Sequence, residues 1–256
     1  MMQKEWLTIN WKDGIGFLNC SKDLQVNYDK AYFQKYMEYA KTDKGRLITE
    51  ERVKFLKWAM QDYPSYSVLD VGIGCGDFLQ TISSDLPEVA GIDVCEEANY
   101  WLHQRDMLAK PQPYDVMTFW DSLEHIVHPQ NLIRQYKPTY VLVSLPIFKD
   151  THHLFASKHF RIGEHCWYFT KEGFVQWMRR GLDMYCVSMQ HFESSKCGRE
   201  DIMSFAFKKR AAGEEVTVDW EFCPIVADGS HVAKGYRCPK CGIVNPTKQC
   251  KACSYS

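Results

Sequence analysis

Three groups of residues in this chain have the types and spacing to do chemistry. The first is VLDVGIGCGDF, residues 68–78, where an apolar run ends in Asp70 and Gly72, Gly74 and Gly76 make the turn that follows. Glycines there allow backbone angles that a Cβ forbids and let a ligand approach the main chain closely. Asp93 ends the next apolar run, VAGIDV, where a carboxylate can accept hydrogen bonds from both hydroxyls of a ribose. The second group is Asp121, Glu124 and His125 in YDVMTFWDSLEHIVHP, with His165 in FRIGEHCWYFTKEGFVQW. Carboxylates and imidazoles in that company suit proton transfer or the binding of a divalent ion. The third is CPKCGIVNPTKQCKAC near the end of the chain. Its two C-x-x-C pairs, Cys238 with Cys241 and Cys250 with Cys253, can converge tetrahedrally on one Zn²⁺. That site is closed and therefore structural, and with few apolar residues around it the metal supplies most of the module's folding energy.

These residues need a frame. Short apolar runs at 67–71, 89–94, 114–120 and 139–146 suit buried parallel strands, and helix-like stretches alternate with them. Thr49-Glu50-Glu51 reads as a helix start, with Val53, Leu56 and Met60 on one face; Thr170 reads as the cap of a helix that stops at Gly181. Tyr185–Gln190 and Ile202–Lys208 suit a closing antiparallel pair. The expected fold is α/β, a Rossmann-like sheet with helices on both faces, an N-terminal helical cover and a small C-terminal zinc ribbon. The expected divisions are a helical region over 1–64 with an irregular start, a nucleoside-binding domain over 65–210, a linker over 211–234 and a zinc module over 235–256.

Composition narrows the function classes. The 256 residues are 45% hydrophobic and 14% aromatic, enough for a packed core, and the net charge is -1. Overall charge thus favours neither nucleic acid nor a membrane, and only local clusters can. No apolar run approaches the ~18 residues a membrane-spanning helix requires. The beginning, MMQKEWLTINWKDG, lacks the apolar stretch of a secretion signal. Of the 11 cysteines, those outside the terminal pairs are scattered, as in a reduced protein. The expected setting is the cytoplasm.

The run DVGIGCG, with its acidic strand end and G-x-G-x-G turn, resembles the class I S-adenosylmethionine-dependent methyltransferases, and the likeness extends roughly over 66–208. It implies that the loop Gly72–Gly76 wraps the methionine part of the cofactor, that Asp93 holds the ribose and that Asp106 lies near the adenine. Asp70 and Asp121 would flank the same cofactor. The link from Asp93 to Asp106 is short for this family, which implies a shrunken helix. A dinucleotide-binding dehydrogenase would show G-x-G-x-x-G, whereas here Gly74 is followed by Cys75-Gly76-Asp77, and Asp77 would face a pyrophosphate badly. FWDSLEHIVHP is similar to the ubiquinone-pathway O-methyltransferases and to the small-RNA terminal 2'-O-methyltransferases. In both, acidic residues and a histidine at these positions can hold Mg²⁺ or Mn²⁺ beside the acceptor hydroxyl, and His165 resembles a residue of the RNA enzymes. Those enzymes have glutamate where Asp121 stands. CPKCGIVNPTKQCKAC resembles the short zinc ribbons.

The expected function is transfer of a methyl group from S-adenosylmethionine to an oxygen or nitrogen acceptor. Catalytic candidates are Glu124, His125 and His165, and three roles stay open for them: holding a divalent ion, serving as general base, or lining the pocket. Tyr28, Tyr32 and Phe160 are candidates for the acceptor pocket, with the loop around His152 and His153 beside it. Lys234, Arg237, Lys240, Lys248 and Lys251 make the terminal module basic enough to touch nucleic-acid phosphates. A binding or scaffold protein that keeps the nucleoside pocket without turnover is the rival reading.

Overall fold

The computed structural model describes residues 7–10, 13–18, 26–210, 236–237 and 244–245. The first described residues form a hairpin where an irregular segment was expected, β1 (Leu7–Asn10) pairing antiparallel with β2 (Ile15–Leu18). Two helices follow, α1 (Lys30–Ala40) and α2 (Asp43–Ala59). The Asp29 side chain accepts from Tyr32 N to start α1, and Thr42 accepts from Gly45 N to start α2. The expected start at Thr49 is thus inside α2, because Thr42 supplies an earlier cap.

From there strands and helices alternate. In order they are β3 (Ser67–Val71), α3 (Asp77–Ile82), β4 (Glu88–Ile92), α4 (Glu96–His103), β5 (Val116–Trp120), α5 (Pro129–Tyr136), β6 (Tyr140–Pro146), α6 (Thr151–Ala156), β7 (Trp167–Phe169), α7 (Lys171–Leu182), β8 (Met184–Gln190), α8 (Phe192–Ser195) and β9 (Ile202–Lys209). A 3-10 turn, Leu123–His125, follows β5. The six-stranded sheet runs β4-β3-β5-β6-β9-β8, parallel except for β9, which is antiparallel to both of its neighbours, β6 and β8. A smaller sheet, β1-β2-β7, stands at the carboxyl end of β6, joined there by a bridge between Ile147 and Phe169. Two short strands, β10 (Tyr236–Arg237) and β11 (Val244–Asn245), pair antiparallel. Cys238, Cys241, Cys250 and Cys253 lie outside the described residues, as do the linker and most of the terminal module.

Period-two alternation divides the core in two. Leu69, Met117, Val141 and Phe205 face α5 and α7 through Ile133, Phe174 and Met178. Val68, Val116, Leu142 and Ala206 face the other way, against Phe33, Leu56, Leu79, Leu102 and Phe192 from α1, α2, α3, α4 and α8. Every residue of β5 and β6 is buried, as strands covered on both faces must be. The carboxyl ends of β3, β4 and β5 are therefore the open side of the sheet. Among the described residues no helix is long and apolar enough to cross a membrane.

On the outer edge, beyond β4, the chain adds one parallel bridge between Gly91 and Leu108, after the eight-residue α4 that fills the short link from Asp93. α4 packs tightly enough over β4 that a Cβ on Gly91 would lie 2.5 Å from Ile73 Cγ2 and within 2.9 Å of Leu79 and Leu102 methyl carbons. Gly91→Ala should therefore lower unfolding free energy by about 1–3 kcal/mol, the usual cost of overpacking a core. A denaturant midpoint equal to that of the unaltered chain would refute this tight packing.

Candidate active site

The glycine turn is built as its spacing requires. Gly72, Gly74 and Gly76 all have positive φ, 76°, 59° and 81°. A Cβ on Gly72 would sit 2.6 Å from Ser122 Cβ, so the turn after β3 and the loop after β5 touch backbone to side chain. Ser122 Oγ donates to the Val71 carbonyl at 2.5 Å and locks that contact. Gly74 N–H donates to Asp93 Oδ2 at 3.3 Å, and Cys95 N–H to Oδ1 at 2.9 Å. Burial raises the Asp93 carboxyl above its ordinary value, while these backbone donors pull it back. Beneath the turn, Asp70 accepts from Thr118 Oγ1 at 2.6 Å and is 1% exposed. Burial pushes its carboxyl up to about 7, against that hydrogen bond.

The turn opens into a cleft of about 990 Å³ bounded by α1 and α2, the ends of β3, β4 and β5, and the segment before β7. Asp70, Gly72, Gly74, Asp93, Asp121, Glu124, His125 and His165 all line it. Gly76 stands behind them, where a Cβ would strike the Trp101 ring. At the far end of the cleft, one ligand atom from each of Glu124, His125 and His165 lies within 4.8 Å of the others. The His125 and His165 rings meet edge to face at 4.6 Å, and Tyr28 Oη lies 3.0 Å from His125 Nδ1. Backbone bonds hold the cluster: Cys166 N–H donates to the Glu124 carbonyl at 2.7 Å, and Trp167 Nε1–H to that of Ile126 at 3.0 Å.

Electrostatics make this cluster uncharged. Burial, then the nearby Asp121 charge, raise the Glu124 carboxyl well above the carboxylate range. Burial lowers His125, and burial with the neighbouring His125 takes His165 down to about 2. Both imidazoles are held in their neutral form at physiological pH.

Asp121 behaves differently. Its left-handed backbone, φ 56°, turns the carboxylate toward two guanidiniums. Arg52 Nη2 lies 2.8 Å from Oδ2, and Arg199 makes a two-pronged contact at 2.7 and 2.8 Å. Glu193, fully buried, takes the other side of both arginines, with Arg52 Nε at 2.8 Å. Burial alone would raise the Asp121 carboxyl, but Arg199 and Arg52 outweigh it and hold it below the usual range.

A family model described as a methyltransferase domain matches residues 28–187. The chain belongs to that family. It is an S-adenosylmethionine-dependent methyltransferase. No curated protein matches it. Among solved structures it is similar to the methyltransferase domain of bacterial CtHen1-C, at 17% identity over 62% of this chain and 97% of that one, TM-score 0.45. It is also similar to the plantazolicin methyltransferase BpumL in complex with SAH, at 16% identity over 71% and 90%, TM-score 0.48. A third is the Burkholderia thailandensis 1,6-didemethyltoxoflavin-N1-methyltransferase with bound S-adenosylhomocysteine, at 13% identity over 71% and 84%, TM-score 0.49.

Two expected residues of the methyltransferase stand elsewhere. Asp106 is exposed and lines a separate groove with Ser67, Glu88 and Asp115, at the amino ends of the strands. α4 runs back from the carboxyl end of β4, so a residue just past its last turn is carried away from the cofactor side. Phe160 packs against Phe155 and Tyr168 rather than into the cleft, which Tyr28 and Tyr32 do line. Asp121 lines the cleft, but three guanidinium hydrogen bonds, two on Oδ2 and one on Oδ1, already engage its carboxylate and balance its charge. Arg52, Arg199 and Glu193 were not anticipated; Arg52 and Glu193 are 141 positions apart, and no local spacing reveals the pair.

The raised Asp70 carboxyl has a measurable sign. A native value near 7 against an ordinary 3.8 means stability present below about pH 4 is lost as pH rises toward 7. Asp70→Asn removes that loss while keeping an acceptor for Thr118. Its advantage over the unaltered chain in chemical unfolding should grow by a few kcal/mol between pH 4 and 8, because each tenfold difference in proton affinity between folded and unfolded chain is worth about 1.4 kcal/mol. A pH-independent difference would contradict the buried carboxyl.

Proposed function

We propose that this methyltransferase moves the methyl group to an oxygen or nitrogen of an acceptor held beside Glu124, His125 and His165. What carries the reading is that this cluster and the glycine turn open into one cleft, with donor atoms converging within 4.8 Å. In it Gly72 and Gly74 hold the methionine end of the cofactor and Asp93 its ribose, while Gly76 lets the turn pack behind them against Trp101. Asp70 acts from below, buttressing the turn.

The sulfonium is a good leaving group, so alignment does most of the work. A lone pair on the acceptor attacks the methyl carbon, the carbon–sulfur bond breaks, and its electrons neutralise the sulfonium. The acceptor's proton passes to a neutral imidazole, His125 standing nearer its ordinary value than His165, or to water.

The donor set also fits a divalent ion. One carboxylate and two neutral imidazoles converge, and Glu124 Oε2 is buried with no hydrogen-bond partner among the described residues. Mg²⁺ or Mn²⁺ bound there would supply Lewis-acid chemistry, lowering the pKa of an acceptor hydroxyl. Glu124, His125 and His165 would hold it; Asp121, paired with Arg52 and Arg199, would not. The likeness of FWDSLEHIVHP to the ubiquinone-pathway and small-RNA enzymes supports oxygen as acceptor.

We further read Cys238, Cys241, Cys250 and Cys253 as ligands of one structural Zn²⁺, on their spacing and on the β10–β11 pairing that flanks the first pair. The basic residues around them suit nucleic-acid phosphates. Among the described residues Cys75, Cys95 and Cys197 form no disulfide, which suits the cytoplasm.

Calorimetry should show S-adenosylhomocysteine binding, weakened about tenfold or more in Asp93→Ala, the share of a hydrogen bond to a charged group. Methyl transfer from radiolabelled donor should appear in a screen of nucleic acids, phenols, sugars and proteins. Binding without transfer to any of them would favour the scaffold reading. EDTA should stop transfer and leave cofactor binding intact if an ion assists. Metal analysis should find zinc that Cys238→Ser removes; zinc content unchanged by that substitution would dismiss the four-cysteine site.

A further inference from the structure

We propose that Tyr28 is a positioning residue: its phenol engages His125 Nδ1, so that Nε2 is the nitrogen presented to Glu124, His165 and the acceptor. The inference rests on the reading of Glu124, His125 and His165 as the reacting cluster.

The geometry comes from two distant parts of the chain. Tyr28 precedes α1, and its hydroxyl reaches Nδ1 at 3.0 Å across 97 positions, with the two rings nearly perpendicular. Glu124 Oε1 stands 3.9 Å from Nε2, beyond hydrogen-bond reach, so it does not fix the ring. The Glu164 backbone, in the segment that carries His165, also accepts a hydrogen bond from the imidazole, so Tyr28 and Glu164 orient the ring together. A neutral imidazole has one donor nitrogen and one acceptor nitrogen, and a partner at Nδ1 decides which face works. A phenol can serve there in either direction, accepting when Nδ1 carries the proton and donating when Nε2 does. Burial keeps Tyr28 protonated, which preserves that choice.

Tyr28 is itself held firmly. Asp29 caps α1, Tyr32 packs edge-on at 4.9 Å, and Cys95 Sγ–H approaches the Asp29 carbonyl at 3.6 Å. Two turns along the same helix, the Tyr36 ring passes 3.9 Å from where a Gly74 Cβ would be. One helix thus spans from the cofactor turn to the imidazole. A tyrosine doing no more than packing would not need its hydroxyl at Nδ1.

Tyr28→Phe keeps the ring and removes the oxygen. Nitrogen-15 spectra of the full chain, with His125 assigned by His125→Gln, should show both His125 nitrogens shifted in Tyr28→Phe and those of His165 nearly unmoved. Mn²⁺ affinity should fall about 10–100-fold, as when an outer partner of a ligating histidine is lost. Tyr28→Phe added to His125→Gln should cost no further turnover. Unchanged His125 resonances would overturn the proposal, as would a parallel loss of S-adenosylhomocysteine binding, which would mark a structural role. If the unaltered chain binds no Mn²⁺, the ion reading fails while the nitrogen spectra still decide the part played by Tyr28.

Discussion

The close approach of Gly72 to Ser122 is the constraint on which the site depends. With 2.6 Å between the place of a Gly72 Cβ and Ser122 Cβ, the turn that receives the cofactor and the loop that carries the reacting groups behave as one piece. The Ser122 hydroxyl on the Val71 carbonyl makes that contact specific. Asp121 precedes Ser122, and Glu124 and His125 follow it, so their direction is set by the same contact. A side chain at Gly72 would push apart the two halves of the cleft as well as obstruct a ligand.

Two kinds of buried ionisable group then sit side by side, and the protein treats them oppositely. Asp121 and Glu193 are matched by Arg52 and Arg199, two acidic and two basic groups in direct contact, so the set balances in charge. Removing one partner from such a set leaves an uncompensated buried charge, at a cost of roughly 3–5 kcal/mol. For Glu124, His125 and His165 burial outweighs the surrounding charges, Arg199 near Glu124 and Glu164 near His125 among them, and drives each toward its neutral form. Asp121 contributes to both conditions. Its charge helps raise Glu124, while its arginines keep that charge from being free to hold a cation. The paired set ties α2 and α8 to the loop after β5, while the neutral set faces the cleft without a net charge.

Where the pattern is local, sequence reading anticipated which residues the structure brings together. DVGIGCG and the acidic end of the next strand are local patterns, and the structure brings Asp93 to Gly74 through a direct hydrogen bond. Glu124 and His125 were legible for the same reason, and His165 through a resemblance in its own segment. What failed depended on where a helix ends or on contacts far apart in the chain. Asp106 was assigned by its place in the sequence, but α4 carries it to the wrong end of the sheet. Arg52 reads as an ordinary helix charge, and its partners lie 69 and 141 positions away. The opening hairpin was missed because four-residue strands carry little periodicity, and β2 gains its partner β7 only through the fold.

That hairpin explains how the cluster is held without a rigid strand beneath every member. His165 lies in a connecting segment, which by itself would place an imidazole loosely. Leu18 N–H donates to the Cys166 carbonyl at 2.8 Å, and Cys166 N–H donates to the Glu124 carbonyl at 2.7 Å. The edge of β2, the residue after His165 and the turn bearing Glu124 are thereby strung on consecutive hydrogen bonds. Thr170 N–H on the Gly14 carbonyl closes the other side of the same small sheet. The first described residues of the chain therefore serve the chemistry at one remove, by fixing the backbone from which His165 projects.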